Sequence, residues 1–146
     1  MPLSRKPLPS PIVRPCGLVR VSTDEQADQF SLPMQVLKIQ EYSVAQLGVT
    51  LPEGDIFREE GISGRPGTLK KRPGLDAAIQ ACVAGQYTHL IVHKLDRLGR
   101  NVGLVSSVLE TLEDQGIVFV SVQDKVDAST AAGRLFISIF IAIAQW

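Results

Sequence analysis

Apolar residues fall along this chain in two rhythms, short unbroken runs and longer stretches where they return at helical spacing. Gly17 to Val21 is such a run and predicts a buried strand. Ser31 caps a helix that extends to about Leu47, with Pro33 tolerated in its first turn and Gly48 as its stop. Asp55 to Arg58 predicts a short strand. Pro73 opens a second helix, whose Leu75, Ala78, Ile79, Cys82 and Val83 lie at i, i+3, i+4, i+7 and i+8, and Gly85 ends it. Thr88 to His93 predicts a third strand. Asn101 caps a helix striped by Leu104, Val105, Val108, Leu109 and Leu112 and closed by Gly116. Ile117 to Val122 predicts a fourth strand, and Ser129 or Thr130 caps a last helix. Strands alternating with helices predict an α/β sandwich around a mainly parallel sheet.

The connecting segments differ in character. Met1 to Pro15 mixes prolines with Ser4, Arg5, Lys6 and Arg14 and reads as a flexible leader without an apolar signal core. Thr23 to Phe30 is polar and reads as a loop. Glu59 to Arg72 carries glycines with Arg65, Lys70, Lys71 and Arg72 and reads as a mobile, basic loop. The last helix is different again. Leu135, Phe136, Ile137, Ile139, Phe140, Ile141 and Ile143 leave it no clear polar face, so it must be covered on all sides. That predicts a subunit interface. The stretch is too short to span a bilayer, and Trp146 reads as a cut inside a helix.

Composition narrows the function. With 146 residues, 45% hydrophobic and 21% charged, the chain fits one domain with a real core. The 15 basic and 15 acidic residues cancel. Proteins that bind nucleic acid over their whole surface are basic, so any such contact here is local or made by another part. Cys16 and Cys82 form no ligand spacing, which fits a reduced cytosolic setting and suggests neither a disulfide frame nor a zinc site.

Chemistry gathers at strand ends. In parallel sheets, ligands sit beyond the carboxyl ends of the strands. Ser22 follows the first strand, with Arg20 two residues before it on the same face. Asp96, Arg97 and Arg100 follow the third. Topology therefore brings two distant motifs to one edge, a serine nucleophile facing a phosphate held by arginines. The guanidinium suits that task because it is planar, multidentate and permanently charged. Taken singly, Ser22 is more often a loop serine than a nucleophile. His89 and His93 flank the third strand and read as structural.

The ordered set of motifs resembles the catalytic domain of serine site-specific recombinases, the resolvase–invertase family. The matching pieces are Arg20-Val21-Ser22-Thr23-Asp24-Glu25-Gln26, Ser31-Leu32-Pro33-Met34-Gln35, Glu60-Gly61-Ile62-Ser63-Gly64, Arg72-Pro73-Gly74-Leu75, Lys94-Leu95-Asp96-Arg97-Leu98-Gly99-Arg100 and Gly133-Arg134-Leu135. The resemblance implies a resolvase-like three-layer sandwich over residues 16–146 with a long C-terminal interface helix. It implies that Ser22 attacks a DNA phosphodiester and stays joined to the 5′ phosphate. Strand exchange and rejoining then follow in a four-subunit assembly, with no metal, nucleotide or other cofactor.

Ser22, Arg20, Arg72, Asp96, Arg97 and Arg100 are the implied catalytic residues, and Gln26, Gln35, Glu60, Ser63 and Arg134 the supporting ones. The implied partners are double-stranded DNA and further copies of the chain, as dimer to tetramer through the last helix, in the cytoplasm and away from membranes. Leu18 stands where many relatives carry tyrosine. The extra Ala27 to Phe30 and the Pro-Gly-Leu after Arg72 look more like large serine integrases or transposases. A base-reading module, and the family's acidic-basic pair after the apolar helix start, are expected beyond Trp146. The rival readings are a serine phosphohydrolase acting on a small phosphoester and a non-catalytic oligomerisation module.

Overall fold

The computed structural model describes residues 12–21 and 31–146. A five-stranded sheet runs through it in the order β2-β1-β3-β4-β5. The strands are β1 (Pro15–Val21), β2 (Ile56–Glu60), β3 (His89–Val92), β4 (Val118–Ser121) and β5 (Val126–Asp127). The first four are mutually parallel and β5 is antiparallel to β4. The helices are α1 (Leu32–Tyr42), α2 (Pro73–Val83), α3 (Leu95–Leu98), α4 (Val102–Asp114) and α5 (Ala131–Ala144).

Alternation along each strand builds two cores. On one face, Cys16 and Leu18 join Leu90, Val92 and Phe119 beneath α2, α4 and Ile137 of α5. On the other, Val19, Ile91 and Val120 meet Val36 and Ile39 of α1. The result is an α/β sandwich around a mainly parallel sheet, as the alternation predicts, with helices on both faces in three layers. α1 comes close because Gly17 has no side chain; a Cβ there would stand 3.1 Å from Ile39 Cγ2. Cys16 and Cys82, distant in sequence, meet in the core with free thiols 3.8 Å apart.

The predicted helix limits hold closely. Ser31 accepts from the Met34 amide, and Asn101 from the Leu104 amide. Thr130, rather than Ser129, caps α5 by accepting from the Gly133 amide. α1 continues through a wider π turn at Ser43–Leu47 before Gly48 turns it off in a left-handed conformation (φ 71°).

Four details depart from the expectations. β2 extends through Glu59 and Glu60, which reads as loop in the sequence, because both pair with β1. The antiparallel β5, only two residues long, carries no pattern to detect. Val83 is exposed, since i+8 lies about 80° around the helix from Leu75. The expected mobile loop is pinned to the sheet edge: the Ile62 amide donates to the Val21 carbonyl and the Arg100 amide to the Gly64 carbonyl.

The expected leader lies outside the described residues up to residue 11. Arg14 is already tied to Thr88 and Gly85, and Pro15 begins β1. Among the described residues, no helix is long and apolar enough to cross a membrane.

α5 packs on α4 and β5 through Gly133 and Ile137, with Phe140 and Ile141 half-buried. Leu135, Phe136, Ile139 and Ile143 remain exposed in the single chain.

Candidate active site

All four parallel strands end at one edge, at Val21, Glu60, Val92 and Ser121. β3 pairs with β1 only as far as Leu18, whereas β2 continues to Val21. Beyond Leu18, the β3 side of β1 therefore needs partners from elsewhere, because buried backbone groups do not stay unpaired. Side chains supply them. The Gln35 amide reaches back from α1: its Oε1 accepts from the Arg20 amide at 3.1 Å and its Nε2 donates to the Arg20 carbonyl at 3.0 Å. Arg97 Nη1 donates to the same carbonyl at 2.9 Å. Two side chains thus take the place of a neighbouring strand just before the position of Ser22.

Arg20 is itself buried, and its guanidinium crosses the edge. Nη2 donates to the Asp96 carbonyl at 2.7 Å and Nη1 to the Ile62 carbonyl at 3.2 Å. Gly64 keeps this space open, since a Cβ there would meet Arg20 Nη2 at 2.9 Å. Arg97 is buried too, and its Nε donates to Asp96 Oδ1 at 3.1 Å. The Asp96 carboxylate is partly exposed, so this pair orients Arg97 more than it stabilises the fold.

Arg72 lies one layer deeper, fully buried at the start of α2. Its Nε and Nη2 both donate to Glu59 Oε1, at 3.0 and 2.7 Å. Nη1 donates to the Leu98 carbonyl at 2.7 Å, and Nη2 also to the Arg97 carbonyl at 3.1 Å. The second Glu59 oxygen accepts from the Leu75 amide at 3.2 Å.

Arg100 is the exposed arginine of the group. Its guanidinium has no hydrogen-bond or ion-pair partner among the described residues, and it borders a cleft of about 390 Å³ with Lys94, Asp96, Asp124 and Phe140. Glu60 and Ser63 are exposed on the rim beside β1, where Ser63 Oγ accepts from the Arg65 amide.

The structure therefore brings Arg20, Gln35, Asp96, Arg97 and Arg100 together, with Arg72 behind them and Glu60 and Ser63 at the border. It does not bring Arg134 to them. Arg134 donates to the Ser129 carbonyl and stands near Gly116 and Ile117, before the start of β4 and thus at the opposite edge. Ser22 and Gln26 lie outside the described residues.

Some residues of this edge escape the sequence reading. Glu59 carries no motif; its only signal is a place on the inward face of β2 beside Phe57, which needs the true strand limits to be seen. Asp124 accepts from the Ser121 hydroxyl at 2.6 Å and the Leu95 amide at 2.8 Å, and so caps α3. His93 is buried at the end of β3. Burial, together with the cations Arg97, Lys94 and Lys38, pushes its imidazole below the ordinary value, against a smaller opposite pull from Asp96. Among the described residues, no group of three His, Cys, Asp or Glu is placed to hold a metal ion.

Comparison with known proteins covers almost the whole chain. The family model "Resolvase, N terminal domain" matches residues 16–146. Over 129 residues, 88% of this chain, the sequence is 36% identical to a DNA-invertase of Escherichia phage P1, covering 59% of that protein. Over a stretch of the same length it is 39% identical to the serine recombinase gin of Escherichia phage Mu, covering 57% of it. The chain thus spans about six tenths of the length of the curated relatives it matches. The structure is similar to that of the N-terminal catalytic domain of TP901-1 integrase, with a TM-score of 0.78 and 27% identity, covering 90% of this chain and 93% of that one.

Proposed function

The chain belongs to the resolvase N-terminal domain family, and on that premise we propose that it is the catalytic domain of a site-specific DNA recombinase acting through Ser22. The Ser22 oxygen attacks a DNA phosphodiester. A bond forms between that oxygen and the 5′ phosphorus, the bond to the 3′ oxygen breaks, and the serine proton ends on the released 3′ hydroxyl. The phosphoserine ester keeps the energy of the broken bond, so rejoining needs no ATP.

The observation that carries this reading is the clustering of Arg20, Arg97 and Arg100 at the carboxyl edge of the sheet, immediately beside the exit of β1. The transition state gathers negative charge, and fixed cations in a partly dry site stabilise it without reorganising. Arg100, exposed at the cleft, is the arginine best placed to meet a phosphate directly. Arg20 and Arg97 tie the end of β1, the strand that leads in sequence to Ser22, to the α3 turn and add positive charge at that edge. The arginines supply the charge that a metal would otherwise bring.

Double-stranded DNA is the proposed substrate, and the cytoplasm the proposed compartment. The exposed Leu135, Phe136, Ile139 and Ile143 of α5 support assembly with further copies, as dimer and tetramer. The similarity to an integrase catalytic domain and the lengthened segment after Ser22 favour the large serine integrase type.

The test uses the natural protein and its own recombination site carrying a nick. Wild type is expected to give a covalent protein–DNA adduct on a denaturing gel, and Ser22→Ala none. An adduct that persists in Ser22→Ala, or never forms with wild type, overturns the proposal.

A further inference from the structure

We propose that Glu59 is a positioning residue for the reaction, acting through Arg72 to hold the α3 turn that presents Asp96, Arg97 and Arg100. The inference rests on the recombinase reading of this edge.

The argument starts from the depth of the pair. Glu59 and Arg72 side chains are both 0% exposed and 2.7 Å apart. A buried ion pair adds little net stability over apolar residues of the same volume, because desolvation consumes most of the attraction. What such a pair does supply is direction. Glu59 fixes two of the three guanidinium nitrogens, Nε and Nη2, through one oxygen. That orientation aims Nη1 at the Leu98 carbonyl and a second Nη2 hydrogen at the Arg97 carbonyl.

These carbonyls sit at the end of α3, a helix of one turn that is too short to hold itself. The Arg97 side chain then extends the chain of contacts to the Arg20 carbonyl, two residues before Ser22. The path from Glu59 to the nucleophile strand is continuous: carboxylate, Arg72, the Arg97 backbone, the Arg97 side chain, β1.

Three glycines are matched to this path. A Cβ on Gly74 would stand 2.5 Å from Glu59 Cγ and 2.9 Å from the Arg58 carbonyl oxygen. A Cβ on Gly99 would stand 3.1 Å from Arg72 Nη1, and one on Gly64 2.9 Å from Arg20 Nη2. Backbone without a side chain therefore lies against each member of the path, Gly74 against Glu59, Gly99 against Arg72 and Gly64 against Arg20, and the Arg72 side chain is fully buried. Arg72 acts from behind the site.

The deciding variant is Glu59→Gln. It keeps the shape and removes the charge that aligns Arg72. Its readouts are adduct formation on the nicked site, DNA affinity, and amide hydrogen exchange over residues 95–100. Cleavage is expected to fall about tenfold to a hundredfold, the scale of a small misplacement of reacting groups. DNA affinity should stay near that of wild type, and exchange should quicken at 95–100 while β1 and α4 stay protected.

If Arg72 had to leave Glu59 to reach a phosphate, Glu59→Gln would cleave as fast as wild type or faster, and the proposal fails. It fails equally if cleavage drops while exchange at 95–100 is unchanged. Should Glu59→Gln not fold, Glu59→Asp is read the same way; if neither folds, Glu59 serves folding and the positioning role is wrong. Wild type, run in parallel, separates these outcomes from failure of the recombinase reading, since without a wild-type adduct it is that reading which falls.

Discussion

Replacing Gly133 with alanine pits helix propensity against packing, and the structure decides the sign. Gly133 sits in the first turn of α5, where the helix crosses β5. A Cβ there would overlap the carbonyl of Asp127 and stand 3.0 Å from its nitrogen. Both are backbone atoms, so no rotamer change relieves the overlap, and α5 must lift. Lifting exposes Ile137, now 4% accessible, and loosens the half-buried Phe140 and Ile141.

Exposing one isoleucine costs about 1.5–3 kcal/mol, and residual strain adds about 1 kcal/mol. Alanine returns about 1 kcal/mol through helix propensity. The net loss is about 2 kcal/mol, a fall in Tm of about 6–8 °C for a domain of this size. Thermal melting by circular dichroism measures it, and faster hydrogen exchange should be confined to α5 and β5. A Tm that rises, as propensity alone demands, refutes the packing argument.

Arg97→Lys keeps the charge but cannot reach both the Arg20 carbonyl and the Asp96 carboxylate. Adduct formation should fall about a hundredfold, and a loss of less than about threefold would mean that charge alone suffices. His93 supplies a pH dependence. Its depressed value means the folded chain binds fewer protons than the unfolded one, so its contribution is present above about pH 6.5 and is lost on acidification below that. Urea midpoints should therefore drop from pH 7.5 toward about pH 5, and His93→Gln should flatten the slope. Part of the slope should remain, because His89 is shifted the same way by burial. An unchanged slope would show that His93 does not titrate differently on folding.

Much of the fold is legible in the sequence because its elements obey periodic patterns. The stripes of α2 and α4, the caps at Ser31, Asn101 and Thr130, and the stops at Gly48, Gly85 and Gly116 are local signals with local causes. β5 leaves no such trace, since two residues have no period. β2 is misjudged at its end because Glu59 and Glu60 look like loop residues until β1 is seen to pair with them. Strand limits are set by a partner distant in sequence, and polarity alone misreads them.

The site shows the same division between residue type and residue environment. Motif spacing leads correctly to one sheet edge, and Arg20, Asp96, Arg97, Arg100 and Gln35 do meet there. What spacing does not convey is which acceptor each arginine faces. A guanidinium is equally suited to a phosphate and to a carbonyl, since both present oxygen lone pairs to its fork. Burial tells them apart. Arg72, with its donors on Glu59, Arg97 and Leu98, is built into the protein, whereas Arg100 stands open at the cleft. Arg20 and Arg97 lie between these extremes, both buried, Arg20 within β1 itself and Arg97 bonded to its carbonyl. The edge is therefore layered, with arginines that brace the strand end beneath an arginine that can meet a ligand. That layering lets a chain of zero net charge turn the Arg100 guanidinium to the cleft while the buried Arg20, Arg72 and Arg97 are bound to protein oxygens.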